Sequence, residues 1–552
     1  MKDSVTSVRD TVAALVAFIL LTGGMMWQQV LRIGDSAIPH QDTYFNMWRL
    51  HWIAHALATS PANIFNGNIF YPEPRTLLFS DAMLVEGIIA APMIWLGVRP
   101  VLLHNIMLLG AIVVSGLTMF VLVHHLTRSR GAALLAGAIF AFAPYRFEHI
   151  MHMELQWTMW IPLAFLWLHR TCDNGRVRDG VLCGVAVALQ IFSSVYYGIF
   201  LATLVALGSL LLQLGTPRLT IRRNVVPLAA GAVLAMALVA IYARPYLQAR
   251  DRVGERPVEE VITFAARPAD YLVTPSTNWL YGRWQTRGEM ERRLFPGAVA
   301  VLLAVVAMLL RHPSRVIIVY VLVGVAAFEA SLGLRGYSYS FLHEYAAPFR
   351  ALRAPARLGI FVVFALAVLA GFGYSFLVRS FRVRDRLVLL AFLLTAILTE
   401  YFTTVPLVSY PNHAPPVYKL LATQPPGVVA EFPAPTPTLR PGQNPKYGLP
   451  GADPKYAYLS IFHWKPLING YSGFYPASYT RRLLDLRRFP EPFSLRVLRR
   501  DGVRYLVIHQ SGYGEDRDVY ERILSTLDSA EGVRSLGPFS DGEGLATVYV
   551  LE

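Results

Sequence analysis

Eleven apolar stretches of about 15–24 residues recur between residues 11 and 405, and a helix needs about 20 such residues to cross a bilayer. They lie near 11–33, 101–124, 131–147, 155–169, 179–196, 197–214, 225–243, 296–311, 315–333, 358–379 and 387–405. Nothing else in the chain restricts its fold as strongly. Composition agrees: 16% of residues are charged and mean hydropathy is +0.42, whereas soluble domains carry about 25% charged residues. An aromatic content of 12% excludes a disordered chain. Two cysteines exclude a disulfide scaffold, and 552 residues exceed what one hydrophobic core holds. The expected fold is mostly α, a polytopic transmembrane helical bundle of about eleven spans.

The formal net charge of +14 suggests nucleic acid until its distribution is followed. Basic residues cluster in alternate connections: Lys2 and Arg9, Arg128 and Arg130, Arg170 to Arg178, Arg218 to Arg223, Arg311 and Arg315, and Arg379 to Arg386. Arg and Lys flanking spans favour the cytoplasm, so the N-terminus is expected there and nucleic acid is excluded as a partner. The first span lacks a small-residue cleavage site before Met25 and Met26 and is expected to stay as an anchor. Cys172 is then cytoplasmic and Cys183 lies within a span, both reduced.

Residues 1–405 are thus expected to form the membrane domain, with long outward loops at 34–100, 244–295 and 334–357. In the first loop, 42–58 reads as an amphipathic helix and 82–97 as an interfacial segment. Residues 406–552 contain no span and read as a soluble extracytoplasmic α/β domain. Its strands are expected at 427–432, 503–509 and 545–551, and its helices at 415–423, 477–488, 493–500 and 517–528.

Several outward residues have chemical potential. Asp42 follows the first span; it is either a general base whose basicity is raised by apolar surroundings or a cap of the following helix. Asp81 either caps the interfacial segment or lines a cavity. Glu86 lies one turn inside that apolar segment, where a carboxylate is costly. The turn 145–154 holds His149, His152 and Glu154, metal-ligand types whose spacing matches no standard zinc motif. Tyr196 and Tyr197 mark another outward turn, as belt aromatics or hydroxyl donors. Arg350, Arg353 and Arg357 repeat at three- and four-residue spacing, are expected on one helix face, and oppose the charge trend; guanidinium pairs with phosphate. The segment 456–479 interleaves aromatics with polar groups, among them His463, Trp464 and Tyr471, and is read either as a sugar contact or as a docking loop. Glu329 and Glu400 fall near outward span ends, where they snorkel or line the outer cavity. No P-loop, GxSxG or HExxH pattern occurs.

With these residues in place, the chain resembles the GT-C superfamily of membrane glycosyltransferases, whose members have many spans, a long acidic first outward loop and often a C-terminal outward domain. Asp42 occupies the place of that family's catalytic acid, and Ala90-Ala91-Pro92-Met93-Ile94-Trp95 resembles the Pro-Leu-Tyr-Trp stretch before the second span of lipid-linked-sugar transferases. Gln41 stands where many relatives have a second acid, Ala90 replaces the Lys of Lys-Pro-Pro, and the Trp-Trp-Asp motif of oligosaccharyltransferases is absent. Phe70-Tyr71-Pro72 and Asn469-Gly470-Tyr471-Ser472-Gly473-Phe474 are similar to segments of a broad bacterial group of membrane proteins.

The resemblance implies a glycosyltransferase of the bacterial inner membrane. It would move a hexose or pentose from a polyprenyl-phosphate donor to an extracytoplasmic hydroxyl on a glycan, lipid or protein, with inversion. Asp42 would act as base, Arg350, Arg353 and Arg357 as phosphate ligands, and Asp81, Glu86, His152, Glu154, Tyr196, Tyr197, His463, Trp464 and Tyr471 as substrate contacts. Membrane lipids are the other partners. Two cofactor states stay open: none, or a divalent cation, Mg2+ or Mn2+. Alternatives are a transporter or flippase of lipid-linked saccharide, which would need polar groups through the membrane depth, and a non-catalytic envelope-assembly protein.

Overall fold

The computed structural model describes residues 7–253, 256–283, 289–309, 314–435, 437–438, 446–447, 451–514 and 516–552. Lys2 and Arg311 lie outside them. The chain divides into two compact units. One comprises the described residues of Met1–Leu31, Ile106–Ala243 and Glu255–Pro406; the other comprises those of Arg32–Asn105, Arg244–Gly254 and Leu407–Glu552. Residues of the first outward loop therefore share a unit with the C-terminal part.

Among the described residues, each of the eleven apolar stretches is mainly helical, and five helices are long and apolar enough to cross a membrane, as in a multi-pass membrane protein: Val8–Met25, Pro100–Thr127, Val195–Gln213, Arg218–Gln248 and Pro355–Leu377. Others are shorter than expected. Arg130–Phe142 has 13 residues, or about 20 Å at 1.5 Å per residue. It stops before 147 because Pro144 opens a new helix at its first turn, the position that proline tolerates best. Large apolar side chains such as Leu20, Leu219, Ile241, Leu302 and Val388 are exposed on the helices of this unit, consistent with a lipid-facing surface.

Close helix packing here depends on glycine. A Cβ on Gly180 would lie 2.0 Å from the Pro227 carbonyl oxygen, and one on Gly184 would lie 2.1 Å from that of Gly231. Small residues four apart let the backbones of Val177–Ser193 and Arg218–Val253 touch. Glu400 does not snorkel. It is buried and accepts the Ala298 and Val299 amides at 2.7 and 3.3 Å. Glu329 likewise accepts the Tyr337 and Ser338 amides. Each glutamate caps the N-terminus of a neighbouring helix, where orphan amides and the helix dipole favour an anion.

The second unit is built on a four-stranded mixed sheet of β1 (Val428–Phe432), β2 (Val503–His509), β3 (Val533–Ser540) and β4 (Leu545–Leu551) in the order β1-β2-β4-β3. β1 and β2 run parallel; the other neighbours are antiparallel. The sequence did not reveal β3, because Gly537 and Pro538 interrupt it. It is an edge strand with a register shift between Ser535 and Gly537, the setting in which proline is tolerated. The four expected C-terminal helices form as Pro416–Thr423, Ala477–Asp485, Pro492–Arg500 and Arg517–Asp528.

Alternation sends side chains to both faces of the sheet. Val429, Tyr505, Val507, Val548 and Val550 join a core with Phe45, Trp48, Ile69 and Phe79. Ala430, Phe432, Leu506, Ile508 and Tyr549 join another with Leu495, Leu498, Ile523 and Leu527. The helix Gln41–Thr59 is thus a covering layer of the sheet, not an amphipathic surface helix; even Asn46 and Arg49 on it are buried. Ser36–Ala37 pairs antiparallel with Val408–Ser409. The Phe70-Tyr71-Pro72 and Asn469-Gly470 segments pair with each other: the amides of Phe70 and Tyr71 donate to the carbonyls of Asn469 and Leu467 at 2.9 and 2.8 Å. Gly470 is required there, since a Cβ would lie 2.6 Å from the Phe70 ring.

Candidate functional site

In the second unit, His40 is the N-cap of Gln41–Thr59: its Nδ1 accepts the Asp42 amide at 3.1 Å. Asp42 is therefore not the cap. It stands in the first turn with its carboxylate oriented by neighbours. The Tyr471 hydroxyl donates to Asp42 Oδ1 at 3.1 Å, and His40 Nδ1 lies 3.2 Å from Oδ2. The Asp42 side chain remains 16% exposed, so solvent and ligands reach it. Burial, reinforced by the negative charge of Asp42, pushes the Tyr471 phenol well above its ordinary range, so the phenol stays protonated and keeps donating.

Asp42, Phe45, Arg49 and Trp52 recur at three- and four-residue spacing along one helix face. Arg49 is buried, donates to the Asp81 carbonyl at 2.6 Å and to Asn46 Oδ1, and stacks 4.5 Å from the Phe45 ring. Sequence reasoning missed Arg49; its signal was a lone arginine on the apolar face of a helix. Asp81 contributes its backbone to this cluster. It does not cap Leu84–Trp95, whose N-cap is Met83 with no side-chain bond. Glu86 is buried in that helix's first turn.

The aromatic segment divides in two. His463 accepts the Lys465 amide at 2.9 Å and stacks on Tyr418 at 5.9 Å. Burial pushes its imidazole down to about 3, so it is a neutral packing residue. Trp464 is half-buried with φ +55°, a left-handed conformation that costs a non-glycine residue on the order of 1 kcal/mol. Nearby, a buried polar network went unseen in the sequence. His509 links Asp541 and Glu431 at 2.8 Å each, and the Tyr418 hydroxyl donates to Glu431 at 2.6 Å.

The first unit assembles a second group of the expected residues through partners that the sequence did not mark. His152 Nδ1 lies 3.3 Å from His149 Nδ1, and His149 Nε2 lies 3.7 Å from Glu291. Arg357 donates to both Glu291 oxygens at 2.6 and 3.2 Å, and its guanidinium lies 4.7 Å from the Tyr196 ring. The Tyr196 hydroxyl accepts the Arg353 amide at 3.0 Å. Burial pushes His149 down to about 3. Burial would raise Glu291, but Arg357 outweighs it and holds the carboxyl well below its usual range. Glu154 and Tyr197 are buried close by in sequence, and the Tyr197 ring packs edge-on to Phe361.

Arg350, Arg353 and Arg357 do not share a helix. Ala347–Ala351 and Pro355–Leu358 are separate 3-10 turns, the second opened by Pro355, which disfavours helical backbone at the residue before it. Arg350 is exposed and donates to the carbonyls of His343 and Glu344, while Arg357 is committed to Glu291. Arg353 keeps a half-exposed guanidinium, 5.5 Å from the Phe264 ring. Asp42, Asp81, Glu86, His463, Trp464 and Tyr471 belong to one unit; His152, Glu154, Tyr196, Tyr197 and the three arginines belong to the other.

Among the described residues, no group of three or more His, Cys, Asp or Glu side chains is disposed to hold a metal.

No family model and no curated protein sequence matches the chain. Two solved structures show a distant likeness. The archaeal oligosaccharyltransferase AglB from Archaeoglobus fulgidus, in complex with an inhibitory peptide and a dolichol-phosphate, superposes with a TM-score of 0.44 at 12% identity, over 97% of this chain and 74% of that one. The Archaeoglobus fulgidus oligosaccharyltransferase in complex with Zn and sulfate gives 0.40 at 14% identity, over 92% and 70%. At these values the likeness is one of general outline.

Proposed function

We propose that the protein is a membrane glycosyltransferase that moves a sugar from a polyprenyl-phosphate donor to a hydroxyl acceptor. One observation carries this reading. Asp42, in the first turn of Gln41–Thr59, keeps a reachable carboxylate that the Tyr471 hydroxyl orients, with the buried Arg49 cation on the same helix face. A part-exposed carboxylate oriented by its neighbours has the form of a general base.

In the proposed step, Asp42 takes the proton of the acceptor hydroxyl as its oxygen attacks the anomeric carbon. The bond from that carbon to the phosphate oxygen breaks, and polyprenyl phosphate leaves with the electron pair, inverting the centre. Phosphate is a good leaving group, so positioning and charge neutralisation supply most of the catalysis. Arg357, committed to Glu291, serves to position the Tyr196 turn. The eleven-span topology, a cytoplasmic N-terminus, an extracytoplasmic 406–552 domain and residence in a bacterial inner membrane complete the reading. The alternation of basic connections supports the orientation, and the resemblance to bacterial membrane proteins supports the residence.

The test is Asp42→Asn, assayed for glycan transfer in membranes supplied with a lipid-linked donor. Loss of a general base should lower turnover by about 10²- to 10⁴-fold. Wild-type turnover in a folded variant would remove Asp42 from the chemistry.

A further inference from the structure

Ten positions beyond Asp42 on the same helix, about 15 Å along its axis, Trp52 borders a cavity of about 240 Å3 that the transfer step does not use. Trp464, Tyr71, Asn66, Asn68 and Glu73 form the rest of its chemically distinctive wall. The two indoles meet edge to face, with centroids 5.9 Å apart at 61°. Both are pinned. Trp52 Nε1 donates to the Ile64 carbonyl at 2.8 Å, and the Trp464 ring stacks on His55 at 4.0 Å. Asn68 accepts from Trp48 and donates to Ser460, while Glu73 accepts from Ser478.

Among the described residues, five non-glycine positions have left-handed φ; one of them, Trp464 at 55°, lines the cavity, and two more, Phe70 and Arg75 at 59° each, flank its wall in sequence. Phe70 and Arg75 bracket the wall segment 71–73, and the Arg75 amide donates to Asn66 Oδ1 at 2.9 Å. Conformations of this kind persist where surrounding structure enforces them, and they gather at ligand sites.

The lining selects a ligand class. Rigid aromatic faces accept the C–H face of a sugar ring, and amides with a carboxylate accept its hydroxyl edge. No Lys or Arg lines the cavity, which disfavours a phosphate or other anion. Its volume is below the roughly 300 Å3 at which pockets for nucleotide- or drug-sized ligands begin. Its amides and carboxylate disfavour an acyl chain. We propose that this cavity is a non-catalytic saccharide-binding site that holds one pyranose unit of a glycan.

The site is tested by direct binding, with no donor present, so the result is independent of the transferase reading. Tryptophan fluorescence of the full chain in detergent is titrated with maltotriose, chitotriose and mannotriose in turn, with choline as a comparison. At least one trisaccharide should bind saturably. Trp464→Ala should weaken it by about tenfold, the usual cost of truncating an aromatic anchor. Trp464→Phe, which keeps a ring, should retain most of the binding. Glu73→Gln should weaken binding while preserving the shape that accepts from Ser478. Thermal melting confirms folding, and the Phe and Gln variants carry the test if the alanine variant does not fold. Failure of all three sugars to bind, unchanged binding in both Trp464→Ala and Glu73→Gln, or binding of choline alone would overturn the proposal.

Discussion

The Tyr471 hydroxyl donates a 3.1 Å hydrogen bond to the Asp42 carboxylate across a separation of 429 positions. The Tyr471 ring also meets Phe45 edge to face at 5.4 Å, so removing the oxygen alone leaves the packing in place. In Tyr471→Phe, kcat for glycan transfer should fall about tenfold, the equivalent of about 1.4 kcal/mol, because one charge-assisted hydrogen bond is lost. KM should barely change. Unaltered kcat in steady-state kinetics would show that Asp42 needs no such partner.

The network around His509 makes stability depend on pH. Burial alone would lower the His509 imidazole, but Asp541 and Glu431 outweigh it and raise it above the ordinary value. Its contribution is therefore complete below about pH 6.5 and lost as pH rises through the raised folded value. Asp541 is opposite: burial would raise it, but His509 and the Glu543 and Gly544 amides hold it low, so its contribution disappears as pH falls below about 4. Burial also raises Asp453 to about 6; the folded state keeps that proton longer, and stability declines between about pH 4 and 6 by on the order of 3 kcal/mol. The melting temperature of the full chain in detergent should thus fall from pH 5 to pH 8. His509→Gln should flatten the portion above pH 6.5. A melting temperature that rises over this range would contradict the assignment.

The Glu291–Arg357 pair is buried, with side-chain exposures of 9% and 7%. Removing one partner strands the other charge. Arg357→Leu should destabilise the protein by about 3–5 kcal/mol, read as a lower melting temperature and reduced recovery from membranes. The double variant Arg357→Leu/Glu291→Leu should regain part of that loss, since no charge is then left buried. A double variant worse than the single would indicate that the pair does more than balance charge.

Gly184 faces the Gly231 carbonyl so closely that a Cβ has no room, at 2.1 Å. Gly184→Ala should force the two helices apart and cost about 1–3 kcal/mol. The same substitution at Gly110, where nothing lies within 4 Å of a Cβ, should be nearly silent. Equal melting temperatures for the two variants would refute a glycine-dependent contact.

Local pattern made much of this protein legible. Apolar length announced the helices long enough to cross a membrane, and alternation with turn residues located three of the four strands in the C-terminal sheet. Punctuation was read less well. Pro144 cut a stretch that looked continuous, and Pro355 separated Arg357 from arginines whose spacing alone resembles a helix face. Residues 42–58 showed their helix but not their burial, because an alternation of polar and apolar positions does not say whether a polar residue such as Arg49 finds an internal partner.

The sequence by itself determined which segments are helical, which are strands and how apolar their surfaces are, since these depend on contacts a few residues apart. Only the tertiary structure decided that Asp42 rests against Tyr471, that Glu291 serves both His149 and Arg357, and that Trp52, Tyr71 and Trp464 enclose one cavity. Such pairings join positions far apart in the chain. Nothing in local periodicity encodes them, because they are selected by the joint burial of apolar faces and by the need of each buried polar group for a partner.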